Sequence, residues 1–211
     1  VERVRTQAKD LFPTVYLTLI SIIQALALET LWSDLVQLDH IWTWNITAVI
    51  GWLQIGAVFE LIFIVWLTYA HTIMQVRWVV SVRDSMIPFA LGLVEFALAA
   101  LIHPDKVHMW CYTLALGSVI GTWASIATRR AARSESDNAD LIRALGLSRP
   151  VQEHRLYIAA GALGLLAGLL VGWHGGSGWV ALSVVALVNL GLIVLIVMEA
   201  AFWRRSIADT G

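Results

Sequence analysis

The chain has 211 residues, of which 59% are apolar and only 14% charged, with a formal net charge of −1. A soluble domain carries about 25% charged residues. Here the few charges are bunched between long uncharged runs, which excludes an ordinary soluble enzyme, a disordered chain and a nucleic-acid-binding protein. The single cysteine, Cys111, leaves no intrachain disulfide and no paired-cysteine metal site.

A helix needs about 20 mostly apolar residues to cross a bilayer. Six stretches meet that length, and they are apolar on every side, unlike the alternating strands of a barrel. The expected fold is an all-α, polytopic integral membrane protein with six transmembrane helices, forming a single domain over 1–211. The first span, 13–32, follows Arg3, Arg5 and Lys9. Its Ala25-Leu26-Ala27 resembles a signal-peptide cleavage site, but the apolar run is long enough to span and reads as a transmembrane helix. In the connection 33–47, Leu35, Leu38, Ile41 and Trp42 recur at helical spacing, as in a short helix lying along the interface. The second span is 49–73. The third, 86–102, is short unless it begins nearer Val79, which draws Arg83 and Asp84 into its first turns. The fourth is 107–128. A loop at about 129–155 follows, with a short helix over 140–146 that Gly146 ends ahead of Pro150. The fifth and sixth spans are 156–173 and 179–203.

The basic residues orient these spans. All of them except Lys106 fall in the N-terminal tail, the second connection, the 129–155 loop or the C-terminal tail, and basic residues collect on the cytoplasmic side. Both termini and the 129–155 loop are therefore expected in the cytoplasm, with the protein in a plasma or inner membrane. Trp32, Trp42, Trp44, Trp110, Trp173 and Trp179 fall near the outer boundary, and Trp66, Trp78, Trp123 and Trp203 near the inner one. Indole rings favour that level, where the ring is shielded and the N–H stays wet.

Two spans carry small residues four apart: Gly117, Gly121 and Ser125 in the fourth, and Ala160, Gly164, Gly168 and Gly172 in the fifth. Such stripes let helix backbones approach closely. They serve either packing within the chain or a homo-oligomer interface.

Ionisable groups inside a bilayer are costly and mark function by default. Glu29 lies near the outer end of the first span, with Gln24 one to two turns below it. Glu60 and Glu95 lie near the middles of the second and third. Glu199, near the inner end of the sixth, is read as reaching water or Arg204. Folding the second and third spans as a symmetric hairpin sets Glu60 opposite Glu95 and His71 opposite Asp84. Glu60 and His71 are eleven positions apart, as are Asp84 and Glu95. That is about three turns, so each pair shares a helix face with roughly 16 Å between its members. Pro88 and Gly92 on or near the face of Glu95 loosen the helix and free a carbonyl there. Two ionised midplane carboxylates with no basic residue at their depth would be prohibitive. The pair is expected to hold a proton or attract a cation, with His71 and Asp84 as inner port and Glu29 as outer one. The competing structural role has Glu60 and Glu95 hydrogen-bonded to each other or to Asn189, fixing helix packing.

On the outer side, His103-x-Asp105-x-x-His108 offers imidazoles and a carboxylate, the ligand types of Zn²⁺ or of an acid-sensing switch. It lacks the helical HExxH that fixes ligand geometry in zinc hydrolases. No cofactor is expected beyond such an ion. The function that follows is a channel or proton-coupled transporter in the lipid bilayer, passing protons or small cations through intramembrane carboxylates. The alternatives are a non-catalytic subunit of a larger membrane complex and a membrane enzyme using the outer His/Asp cluster.

Overall fold

The computed structural model describes residues 2–76, 82–139, 143, 154–174 and 178–208. Its six long helices are α1 (Glu2–Gln37), α2 (Ile46–Gln75), α3 (Val82–Ala100), α4 (Val107–Ser134), α5 (His154–Trp173) and α6 (Gly178–Ala208). Short 3-10 turns at Asp39–Trp42, Pro104–Lys106 and Ser136–Asn138 lie between them. Four stretches are long and apolar enough to cross a membrane: Leu11–Gln37, Ile46–Gln75, Pro104–Ser134 and Gly178–Arg204. The apolar stretch Ile158–Trp173 in α5 is shorter. The protein is an all-α, polytopic membrane protein. Leu163, Leu166 and Leu169 on α5, and Leu187, Leu190, Val194 and Val197 on α6, are exposed, forming the apolar exterior that lipid requires.

Two helix pairs, α1–α3 and α2–α6, form out of chain order. α1 packs on α3, α2 on α6, and α4 on both α3 and α5. α1 and α3 run parallel: Tyr16 meets Asp84, Ile23 meets Gly92 and Gln24 meets Glu95. α2 and α6 are parallel too, from Leu53 with Asn189 to His71 with Glu199. α4 and α5 are antiparallel, because Gly161 meets Ser118, Gly164 meets Ala115 and Gly168 meets Tyr112. The small-residue stripe of α5 thus seats that helix on α4 within the chain, with Gly172 against His108. Gly117 of α4 turns the other way, toward Val94 of α3, and Gly121 is half-buried.

Local chemistry sets the element ends. Asn45 caps α2, its side chain accepting from the Ala48 N–H, which satisfies one orphan donor of the first turn. Pro88 sits inside α3. Without an N–H it cannot bond the carbonyl four residues back, that of Asp84. The Tyr16 hydroxyl of α1 fills this gap, donating to the Asp84 carbonyl at 2.9 Å. The main core, including Ala27, Ile50, Val58, Leu98, Trp110 and Val185, lies toward the helix ends that carry the 39–42 and 104–106 turns. A smaller cluster of Tyr16, Ile20 and Ile73 lies toward the opposite end, where Arg129, Arg130, Arg133 and Arg204 sit.

The structure corrects several boundaries. α1 continues through Gln37, absorbing Leu35, so the interfacial segment shrinks to Asp39–Trp42. Leu35 and Ile41 are buried against the bundle. Trp110 is no interfacial anchor but is fully buried in the core, because α4 presents that face to its neighbours. Trp32, Trp42, Trp44, Trp173 and Trp179 are exposed. Trp78, Arg77 and most of the 140–146 helix lie outside the described residues.

Candidate functional site

Glu95 is the most deeply placed acid, 1% exposed on α3. Its Oε1 accepts from Gln24 Nε2 of α1 at 3.2 Å. Its Oε2 and Gln24 Oε1 are both buried without a hydrogen-bond partner. A buried polar atom left unsatisfied costs about 1–3 kcal/mol, and each such atom calls for a physical reason. The two helices meet closely here because α3 offers Gly92, whose missing side chain leaves room for Ile23.

Gln54 of α2 is fully buried with neither amide atom partnered. Glu60, about two turns further along α2, is half-buried, and its Oε2 is likewise buried and unpartnered. Asn189 of α6 is satisfied by backbone instead: its Nδ2 donates to the Leu53 carbonyl at 3.0 Å and the Val185 carbonyl at 2.8 Å. It ties α6 to α2 and bonds neither glutamate. Glu29 is exposed on α1.

Toward the arginine-rich end, His71 of α2 is 4% exposed. Its Nδ1 lies 3.0 Å from Glu199 Oε1 of α6. The ring packs against Trp203 at 4.7 Å between centroids and edge-on against Phe202 at 5.2 Å. Its Nε2 is buried and unpartnered.

These positions revise the symmetric hairpin. Glu60 and Glu95 share no hydrogen bond, and the carboxylate that meets His71 is Glu199, not Asp84. The reason is the pairing of the helices. α3 lies on α1 and α4, and α2 mainly on α6, with little contact between α2 and α3, so reflection about the connecting turn does not bring equal heights face to face. Gln24 and Glu95 are brought together by α1 instead. Gln54 and Tyr16 are polar members that chain-order reasoning leaves out, and Glu199, expected to reach water or Arg204, meets His71. Gln54 shows in the sequence as an amide inside an apolar run, whereas Tyr16 and Glu199 gain their partners only through helix pairing.

His103, Asp105 and His108 lie at the end of the bundle that carries the 104–106 turn. His103 caps its turn, its Nδ1 accepting from the Asp105 N–H at 3.2 Å, and lies 3.6 Å from Asp105 Oδ2. Its ring meets His40 edge-on at 5.2 Å between centroids. His108, one helix further on, packs on Tyr112. Among the described residues, no three His, Cys, Asp or Glu side chains converge as metal ligands. Burial, with His103 nearby, holds the His40 imidazole below the ordinary histidine range, only partly offset by Asp105 and Asp39.

No family model, curated protein or solved structure matches the chain.

Proposed function

We propose that the chain forms six crossing helices, with the arginine-rich end cytoplasmic, and passes protons or small cations across a plasma or inner membrane. The observation that carries this reading is Glu95, a carboxyl group almost without exposure whose hydrogen-bond partner is an uncharged amide. An ionised carboxylate in that place has no countercharge. A protonated one would donate from Oε2, and Gln24 Oε1 is the acceptor left waiting on the same pair. Protonation thus removes the uncompensated charge and turns the unpartnered Oε2 into a donor. Loading and unloading that proton is the elementary step of a relay. Glu60 and Gln54 on α2 extend the polar set, with Glu29 toward the outer face. The parallel α1–α3 and α2–α6 pairs and the antiparallel α4–α5 pair are the arrangement that six alternating crossings produce. α3 and α5, at 19 and 20 residues, measure about 28–30 Å, close to the thickness of the hydrocarbon core.

The test is flux into liposomes containing the purified protein, with a pH-sensitive dye for protons and separate dyes for Na⁺ and K⁺. The Glu60→Gln, Glu95→Gln double variant is expected to abolish flux while eluting as a folded protein. Unchanged flux in that variant overturns the reading.

A further inference from the structure

The polar contact between α2 and α6 at the arginine-rich end has the build of a protonation site. Glu199 presents a carboxylate oxygen to His71 Nδ1 at 3.0 Å. A carboxylate only accepts, so Nδ1 carries the hydrogen of the neutral ring and Nε2 keeps its lone pair. That lone pair is buried and unpartnered in a ring 4% exposed. We propose that His71 is the proton acceptor at the arginine-rich end of the pathway and that Glu199 is its positioning residue, which rests on the reading of proton passage above.

The step balances within the pair. A hydronium ion at this end gives up an O–H bond and leaves water, and its proton adds to the Nε2 lone pair to form an N–H bond. The ring becomes positive while Nδ1–H stays on Glu199, whose negative charge neutralises it. Trp203, stacked on the ring at 4.7 Å with an interplanar angle of 33°, offers its π-face to the cation. Release breaks the same N–H bond and returns the proton to water. A metal ion on Nε2 would need further ligands, and no three metal-ligating side chains converge among the described residues. Among the described residues, the other titratable or charged groups of this end include Tyr16 on α1, Tyr69 on α2, Asp84 on α3, Arg129, Arg130 and Arg133 on α4, Glu135, Asp137 and Arg143 beyond it, and Arg204 on α6. Tyr16 is engaged at the Asp84 carbonyl, and Arg204 is exposed. Glu199, with 24% of its side chain exposed, is the acid bonded to the ring.

The experiment uses the full chain in lipid nanodiscs with ¹⁵N-labelled histidine, the His71 ring signals being assigned through bonds to its own backbone. The expected wild-type spectrum has Nδ1 protonated and Nε2 bare at alkaline pH. Acidification should remove the bare-nitrogen signal reversibly and leave Nδ1–H in place. Glu199→Leu should mix the two tautomers, and Glu199→Asp should restore one. In liposomes, His71→Gln and Glu199→Leu should each lower proton flux at least tenfold, with Glu199→Asp recovering most of it. A bare Nδ1 in the wild type, an Nε2 that never gains a proton, or full flux through folded His71→Gln overturns the proposal. Should the wild type carry no protons, the reading of passage fails, and the nitrogen spectrum still decides whether His71 binds one. Should a variant fail to fold, the wild-type spectrum decides alone.

Discussion

Gln24 and Glu95, 71 positions apart in the chain, are joined by a hydrogen bond of 3.2 Å between α1 and α3. Ile23, next to Gln24, occupies the space that Gly92 leaves one turn before Glu95. Contact and polar bond therefore depend on the same helix separation. In Glu95→Gln an uncharged amide replaces the acid and can still pair with Gln24, so thermal stability in detergent should stay close to wild type. Glu95→Ala leaves the Gln24 amide buried without its partner and should cost about 1–3 kcal/mol. Equal destabilisation by the two substitutions would show that the pair is held by charge.

Tyr16 completes a carbonyl that Pro88 releases. Tyr16→Phe should cost about 1–2 kcal/mol. In a Pro88→Ala background the helix supplies its own N–H to the Asp84 carbonyl, and the same substitution should cost less than half as much. Additive losses in this double-mutant cycle, read by unfolding in mixed micelles, would separate the two residues.

The glycines of α5 and α6 should respond with opposite signs. A Cβ on Gly168 would run into the Tyr112 ring and approach the His108 carbonyl at 3.1 Å. Gly168→Ala should therefore loosen α5 from α4 and cost about 1–3 kcal/mol. A Cβ on Gly191 meets nothing within 4 Å, so Gly191→Ala should be neutral or stabilising by up to about 1 kcal/mol through helix propensity.

Acid should loosen the connection between α1 and α2. His40 is held below its ordinary value of 6.5, so the folded loop binds fewer protons than the unfolded one. Its contribution is present at neutral pH and is lost as pH falls below the ordinary histidine range. The reporter is amide exchange over 39–52, where Trp52 Nε1 donates to the Ile41 carbonyl at 3.1 Å. After correction for intrinsic rates, exchange should rise between pH 7.5 and 5.5. His40→Asn should remove that rise, and a rise that survives the substitution assigns it to another group.

Apolar length and the placement of arginines made the helical class legible, because a bilayer imposes both on any chain that crosses it. The prominence of Glu95, Gln24 and His71 was legible for the same reason, as polar groups in apolar runs stand out one by one. Their partners were not. A reflected hairpin assumes that consecutive helices are neighbours, yet Glu95 meets α1 and His71 meets α6. In lipid, every helix surface away from the polar spots is equally apolar, so hydropathy holds no record of which faces touch. Close-packing glycines hold part of it: the α5 stripe marks the α4 contact, though it does not name α4 as the partner.

The α2–α6 pair also imposes an order on biosynthesis. α2 leaves the ribosome long before α6, and until α6 arrives the Leu53 carbonyl lacks its Asn189 donor and His71 lacks Glu199. α1 and α3, and then α4 and α5, can associate as they leave the ribosome. α2 can pack on α1 early, but its polar ties at Leu53 and His71 wait for α6. Closing α6 on α2 is a long-range contact, which is the slow kind of step, and these polar ties of α6 form in that one event. Substitutions at Asn189 and Glu199 should accordingly show first as incompletely assembled, protease-sensitive protein in the membrane, before any loss in the stability of molecules that have closed.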